Sequence, residues 1–318
     1  MGRYAVVRLG QALVVLIIVV VLTFVVTRLI PGDAFLLEVA RTNSGVPAVE
    51  AVALLRAQYG LDQPVYQQFF IWVTDFVRGD WHESIGYGQD VLEMFLSRFR
   101  VTLELFFWAT FWQFLIGIPA GIVGALKRNS PTDMALTTGA LIGVSIPIFF
   151  QSIVMIYLFA VLLPLFPPSG YVHFADDPAA NVMSLILPGF VLGTSSAAVL
   201  ARYVRSSLLE VMNQDFIRTA RAKGLAERAV VTLHALKPAM IPVVTVIGYL
   251  WAGLLGGAFL VEYIFALPGL GRMMVDAVFQ RDFPVIQALL VVISINVLVV
   301  NFLVDILYAY LDPRVRLQ

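Results

Sequence analysis

Few residues of this chain could carry covalent chemistry. It has no cysteine, which excludes disulfides, thiolate-bound zinc and thiol catalysis. His82, His173 and His234 lie far apart, and none has a second histidine or a cysteine four positions on, so the sequence supports no metal site. No Gly-x-x-x-x-Gly-Lys-Ser/Thr stretch occurs, so no phosphate-cradling loop is expected and ATP chemistry would fall to another chain. What stands out is a polar, cationic interlude between two long apolar segments. It runs from Tyr203 through Gly224 to Pro238 and carries Arg205, Arg218, Arg221, Lys223, Arg228 and Lys237.

The spacing of that interlude predicts two short helices separated at Gly224. Gln214–Lys223 has helix-compatible spacing, and Gly224 suits a left-handed C-terminal cap. Arg221 and Lys223 sit where they complement the helix dipole. Small Ala220 and Ala222 would fit a shallow cleft, and Phe216 and Ile217 are apolar anchors. A solvated basic loop explains the charges but not the alanines, the glycine or the length. A surface for a soluble partner explains all of them, with Asp215, Phe216, Arg218, Thr219, Ala220, Lys223 and Gly224 as its residues.

The elements around this loop must be membrane spans. Sixty per cent of the 318 residues are hydrophobic and 13 per cent charged, with mean hydropathy +0.87. A soluble domain cannot hide that much apolar surface. Net charge is zero, which argues against a nucleic-acid partner. A span needs about twenty apolar residues, and six segments qualify: Leu9–Ile30, Thr102–Leu126, Met134–Leu165, Val182–Val204, Met240–Phe265 and Val285–Leu311. The fold class is therefore an all-α polytopic membrane protein. The first segment is too long for a cleaved signal and reads as an anchor. Arg3, Arg8, Lys127, Arg128, the interlude, Arg314 and Arg316 fall on one side, which the positive-inside rule makes cytoplasmic, together with both termini.

The chain divides into residues 1–30, 31–100 and 101–318: anchor, extracytoplasmic segment, and a core of five spans with the loop at about 205–237. The middle segment has helical patterning at Val49–Tyr59 and Val65–Val77, with Pro64 placed for a first turn. It is either a set of interfacial helices anchored by Trp72 and Trp81 or a docking cap for an external partner. Within the spans, Gln113, Gln151, Asn296, Asn301 and Asp305 are polar; Asp305 is placed to pair with a basic residue, and the two glutamines either bridge helices or line a pathway. Pro147 can kink the third span. Gly253 and Gly257 form a Gly-x-x-x-Gly pattern that allows close packing, within the chain or against a neighbour.

Four groups of stretches carry a resemblance. They are Arg28-Leu-Ile-Pro-Gly-Asp33; Gly60-Leu-Asp-Gln-Pro64 with Arg78-Gly-Asp-Trp81 and Ser97–Glu104; Phe216–Leu225 with His234–Val243; and Leu267-Pro-Gly-Leu-Gly-Arg272 with Arg281-Asp-Phe-Pro284 and Tyr308–Arg314. In this order they resemble the permease subunits of the dipeptide, oligopeptide and nickel family of bacterial ABC importers, over nearly the whole chain. The general importer motif is Glu-Ala-Ala, three residues, then Gly; here Arg218-Thr219-Ala220 precedes Gly224, as is usual in the peptide branch and not in sugar importers.

The resemblance implies a type I importer fold in the bacterial inner membrane and an ATPase-docking role for the loop. It implies a second homologous permease, two cytoplasmic ATPases that bind ATP and Mg, and an extracytoplasmic solute-binding protein, with no cofactor on this chain. It also favours the fifth span, with Gly253 and Gly257, as lining the central pathway; from their own residue types, Pro147 and Gln151 are further pathway or gate candidates. Peptides are the expected cargo, with nickel chelates, glutathione or a sugar as alternatives. An ion-coupled transporter is the rival of another class; it would need repeats or buried ionisable chains, which the sequence does not display.

Overall fold

The computed structural model describes residues 2–29, 50, 52 and 62–311. The helix expected at Val49–Tyr59, and the Arg28–Asp33 and Tyr308–Arg314 stretches in part, lie outside the described residues. Helix α1 (Gly2–Leu29) is followed by α2 (Val65–Arg78), α3 (Val91–Leu126), α4 (Pro131–Ser145) and α5 (Ile148–Ile156), which ends in a π-helical turn, Tyr157–Leu162. Then come α6 (Pro178–Met212), α7 (Asp215–Ala222), α8 (Glu227–Ala229), a second π-turn at Val230–Ala235, α9 (Leu236–Ile264), α10 (Leu270–Gln280) and α11 (Phe283–Leu311). Among the described residues there is no strand, only an isolated bridge between Glu83 and Asp90.

Among the described residues, five helices are long and apolar enough to cross a membrane, or six if the bent pair α4–α5 counts as one. Local sequence sets their starts. The Asp90 side chain accepts from the Glu93 amide to begin α3, Ser130 does the same for α4 with Pro131 behind it, and Asp177 accepts from Ala179 and Ala180 to begin α6.

The third apolar segment departs from a single span. Its two halves diverge by 102°. Ile146 is extended (φ −78°, ψ 122°) because Pro147 disfavours the helical conformation in the residue before it. Pro147 then serves as N-cap of α5.

The centre of the bundle is α3 against α6. Their backbones touch: a Cβ on Gly193 would lie 2.4 Å from the Ala109 carbonyl oxygen, and one on Gly121 would lie 2.6 Å from Val204 Cβ. In lipid, where apolar side chains gain little by leaving their surroundings, such close approach is the main source of helix association. Helix α9 packs over this pair through Leu254, Ala258 and Val261. At the far end, Val91 and Phe95 of α3 meet Met273 and Ala277 of α10 and Leu289 of α11.

Helix α1 is peripheral and presents most of its side chains outward. Two polar ties hold it along α11: Gln287 Nε2 donates to Thr27 Oγ1 at 2.7 Å, and Arg8 pairs with Asp305 at 3.3 Å, a partnership the position of Asp305 anticipates. Trp72 and Trp81 both pack on protein. Trp72 lies 5.9 Å from the Phe24 ring, and Trp81 stacks on Phe76 at 4.8 Å while donating to the Phe76 carbonyl. Between α5 and α6, Tyr171 donates to Glu104, which also accepts from Asn181. Burial first, and then the bond to Glu104, push the Tyr171 phenol up to about 12, so it stays a donor at physiological pH.

Candidate functional site: a helical loop and an open helix face

Helix α7 leaves α6 after a two-residue turn and packs back on the chain by one face. Ile217 is fully buried and Ala220 nearly so, in a cluster with Leu208, Val230, Ala235, Ala239 and Ala125. This corrects the expectation that Ile217 and Ala220 present apolar contacts to a partner: they root the loop in its own bundle. The other face is exposed and holds Asp215, Phe216, Arg218, Thr219 and Lys223. Phe216, Leu225 and Leu233 form the outward apolar part, with Leu233 72% exposed. The sequence reading did not single out Leu225 and Leu233 as outward apolar residues; Leu233 lies within the π-turn Val230–Ala235, whose Val230, Val231 and Ala235 are buried.

Gly224 ends this helix with φ +78°, in the left-handed region, and open space surrounds the position a Cβ would take. Across that turn Arg221 grips Glu227 with two bonds, Nε to Oε2 at 3.0 Å and Nη2 to Oε1 at 2.7 Å. The Arg218–Asp215 pair, 3.3 Å apart and almost fully exposed, adds little to stability and leaves both charges facing outward.

The loop is tied to four helices. Ala125 of α3 lies beneath it, and Ser207 of α6 donates to the Ala239 carbonyl of α9 at 2.7 Å. Arg205 of α6 holds Asp133 of α4 with two 2.7 Å bonds, and Asp133 also accepts from the Asn129 amide. Helix α7 thus packs directly on α3, α6 and α9, and the Arg205–Asp133 bonds join α4 to the same assembly. Asp133→Ala is expected to lower the melting temperature of the purified protein by several degrees, and Arg205→Ala to add little on top of it. Thermal melts of the two single variants and the double variant check this non-additivity.

The pathway candidates are split by the structure. Gln151 Nε2 donates to Thr194 Oγ1 of α6 at 2.7 Å, so this side chain bridges helices. Gln113 is fully buried with neither amide atom partnered among the described residues, so of the two alternatives no bridging bond is seen for it. A Cβ on Gly257 would lie 3.0 Å from Leu192 and 3.6 Å from Ile148, which makes Gly257 part of the internal packing. Gly253 faces open space, as does Gly256. With Thr245, Tyr249, Leu260 and Tyr263 they occupy one exposed face of α9 at spacings of three and four residues; Tyr249 is 77% exposed.

Two buried carboxylates at the opposite end escaped the sequence reading. Glu262 of α9, fully buried, accepts from the backbone amides of Gly271 (2.6 Å) and Arg272 (3.1 Å) at the start of α10 and from Thr102 Oγ1 (2.6 Å). The helix N-terminus supplies the positive field that a lysine or arginine would otherwise provide. Asp282, also fully buried, accepts from Ser84 Oγ (2.5 Å), Gly86 N (3.0 Å) and Val285 N (3.4 Å). An ionisable residue inside an apolar run was the available signal for Glu262. Among the described residues no group of three or more His, Asp or Glu side chains is arranged to hold a metal ion.

Sequence comparison decides the family. Residues 117–317 match the family described as binding-protein-dependent transport system inner membrane component, and residues 1–106 match its N-terminal companion. The chain belongs to this family. A Brucella suis (biovar 1, strain 1330) protein named as a peptide transport system permease is 42% identical over 309 residues, 97% of each chain. The glutathione transport system permease protein GsiC of Escherichia coli K12 is 40% identical over 317 residues, 99% of each. The inward-facing MetNI methionine ABC transporter contains a chain of the same fold, with TM-score 0.59 and 21% identity, covering 70% of this chain and 97% of that one. This inner membrane permease is thus one component of a binding-protein-dependent transport system.

Proposed function

We propose that this permease forms one half of the translocation pathway of an ATP-driven importer of peptides. The observation that carries this is α7: a short helix rooted by Ile217 and Ala220 that turns Phe216, Arg218, Thr219 and Lys223 outward at the junction of α6 and α9. Such a lever suits a soluble ATPase, which binds ATP and Mg and whose closure would be transmitted through the Arg205–Asp133 and Ser207–Ala239 ties. The α7 end and both termini are assigned to the cytoplasm, in keeping with the basic residues of the short loops.

The exposed face of α9 around Tyr249, Gly253 and Gly256 is assigned to the central pathway, opposite a second, homologous permease. A solute-binding protein on the α10 side would deliver cargo. The names of the Brucella and GsiC relatives support peptides, glutathione being itself a tripeptide. In the cycle that follows, ATP-driven closure of the ATPases opens the pathway toward the binding protein, and hydrolysis returns it.

The test is reconstitution. The chain purified alone is expected to hydrolyse no ATP. Co-purified with a second, homologous permease and partner ATPases, it should show hydrolysis stimulated by peptide-loaded binding protein and uptake of labelled di- or oligopeptide into proteoliposomes. ATP turnover by the isolated chain, or peptide uptake driven by an ion gradient without ATP, would overturn the proposal.

A further inference from the structure

Between α1, α2 and α11 lies a cavity of about 370 Å3, within the size range of small-molecule sites. Ile17 and Val20 of α1, Trp72 and Val73 of α2, and Val291 and Ile295 of α11 form its walls, and no polar surface faces it. Water gains nothing there, because it would find no hydrogen-bond partner. The exposed residues beside it on α1 and α2, Leu13, Val21, Phe70 and Val77, are apolar as well. The medium next to the cavity is therefore hydrocarbon.

Two further observations narrow the occupant. Helix α1 is fixed to α11 by polar ties near its two ends, Thr27–Gln287 and Arg8–Asp305, and the cavity lies between those ties. Arg28 stands eight residues along α1 from Val20, about 12 Å on at 1.5 Å per residue. That is close to half the thickness of a bilayer's hydrocarbon core, roughly 15 Å. The Arg28 guanidinium lies 3.6 Å over the Phe24 ring and donates through Nε and Nη2 to Gln68. Among the described residues its hydrogen bonds go to Gln68 alone, through two of its five N–H groups, which leaves donors in the fork for an anionic phosphate.

We propose that this cavity is a phospholipid site, with one acyl chain filling the space between α1, α2 and α11 and the phosphate at Arg28. The acyl chain supplies the dispersion contacts that α1 lacks midway along α11. The lipid so held is part of the wall that fastens the peripheral α1–α2 pair to the bundle. This inference stands on the cavity and on Arg28, and is independent of the cargo and of the ATPase assignment.

Trp72 makes the site observable. The full-length permease, with its co-purifying subunits in mild detergent, is titrated with phosphatidylglycerol brominated at the middle of its acyl chains. Tryptophan fluorescence should show a saturable quenched component that is missing from Trp72→Phe. Val73→Phe and, from the opposite wall, Val20→Phe fill the cavity and should weaken that component at least tenfold, with thermal melts confirming that each variant is folded. Arg28→Gln should weaken it roughly fivefold, the worth of one basic group near an anionic lipid. Quenching that never saturates, or that persists unchanged in a folded Val73→Phe or Val20→Phe protein, would overturn the site. Equal quenching by a brominated alkyl maltoside, or an Arg28→Gln variant indistinguishable from the parent, would overturn its assignment to a phospholipid.

Discussion

Gly224→Val is expected to cut ATP-driven uptake by about tenfold while the amount of permease in the membrane stays unchanged. Gly224 has φ +78° and nothing within 4 Å of the position a Cβ would occupy, so the substitution meets no neighbour and the entire penalty is conformational. A non-glycine residue in the left-handed region loses roughly 1–2 kcal/mol, and a β-branched one more. That is a factor of about 5–30 in the population of the native turn. The turn sets the angle between α7 and α8 and brings Arg221 onto Glu227, so its loss misplaces Phe216, Arg218 and Thr219 without touching a span. Gly224→Asn, which tolerates the left-handed conformation, should restore most of the uptake. Stimulation of ATP hydrolysis by loaded binding protein should track uptake across the three proteins. A Gly224→Val permease that transports normally at normal abundance would show that the turn has no part in coupling.

Gly271→Ala should act on the opposite end of the molecule and on stability instead. Its Cβ would sit 2.4 Å from the Phe259 Cα and 3.0 Å from Glu262 Oε2. The first of these is backbone and cannot rotate away, so α10 must shift off α9. Overpacking of this kind costs about 1–3 kcal/mol. The shift also pulls the Gly271 and Arg272 amides from the Glu262 carboxyl group, leaving buried acceptors with fewer donors. The expected result is a clearly lowered melting temperature and reduced yield of folded permease. Gly139→Ala, where a Cβ meets nothing within 4 Å, is the matched control and should be silent. Equal melting of the two variants would mean that the α9–α10 junction is looser than its contacts imply.

The comparison between sequence and structure is sharpest in the third apolar segment. Hydropathy averages over a window and therefore reads Met134–Leu165 as one span. The extended conformation forced on Ile146 by Pro147 breaks it, and the 102° turn depends on what α5 then packs against. The glycines of Gly-x-x-x-Gly make the same point. Their spacing announces close packing but not the partner: Gly257 meets Leu192 and Ile148 of its own chain, whereas Gly253 meets nothing. In α7 the order of residues foretells a short helix stopped at Gly224, yet Ile217 and Ala220 turn inward and Leu233 outward. Helical phase relative to the bundle decides that, and it is set by packing against Leu208, Val230 and Ala239.

The sequence by itself determined the class of solvent, the helical character and the family. Each of these follows from local composition, caps and ordered motifs, which need no knowledge of distant neighbours. Only the tertiary structure decided which residues face out. It put Glu262 at the N-terminus of α10, Asp133 against Arg205, and an apolar cavity of about 370 Å3 between α1, α2 and α11. Those pairings join residues up to hundreds of positions apart, and a buried charge or void is defined by what surrounds it in space, which no linear spacing encodes.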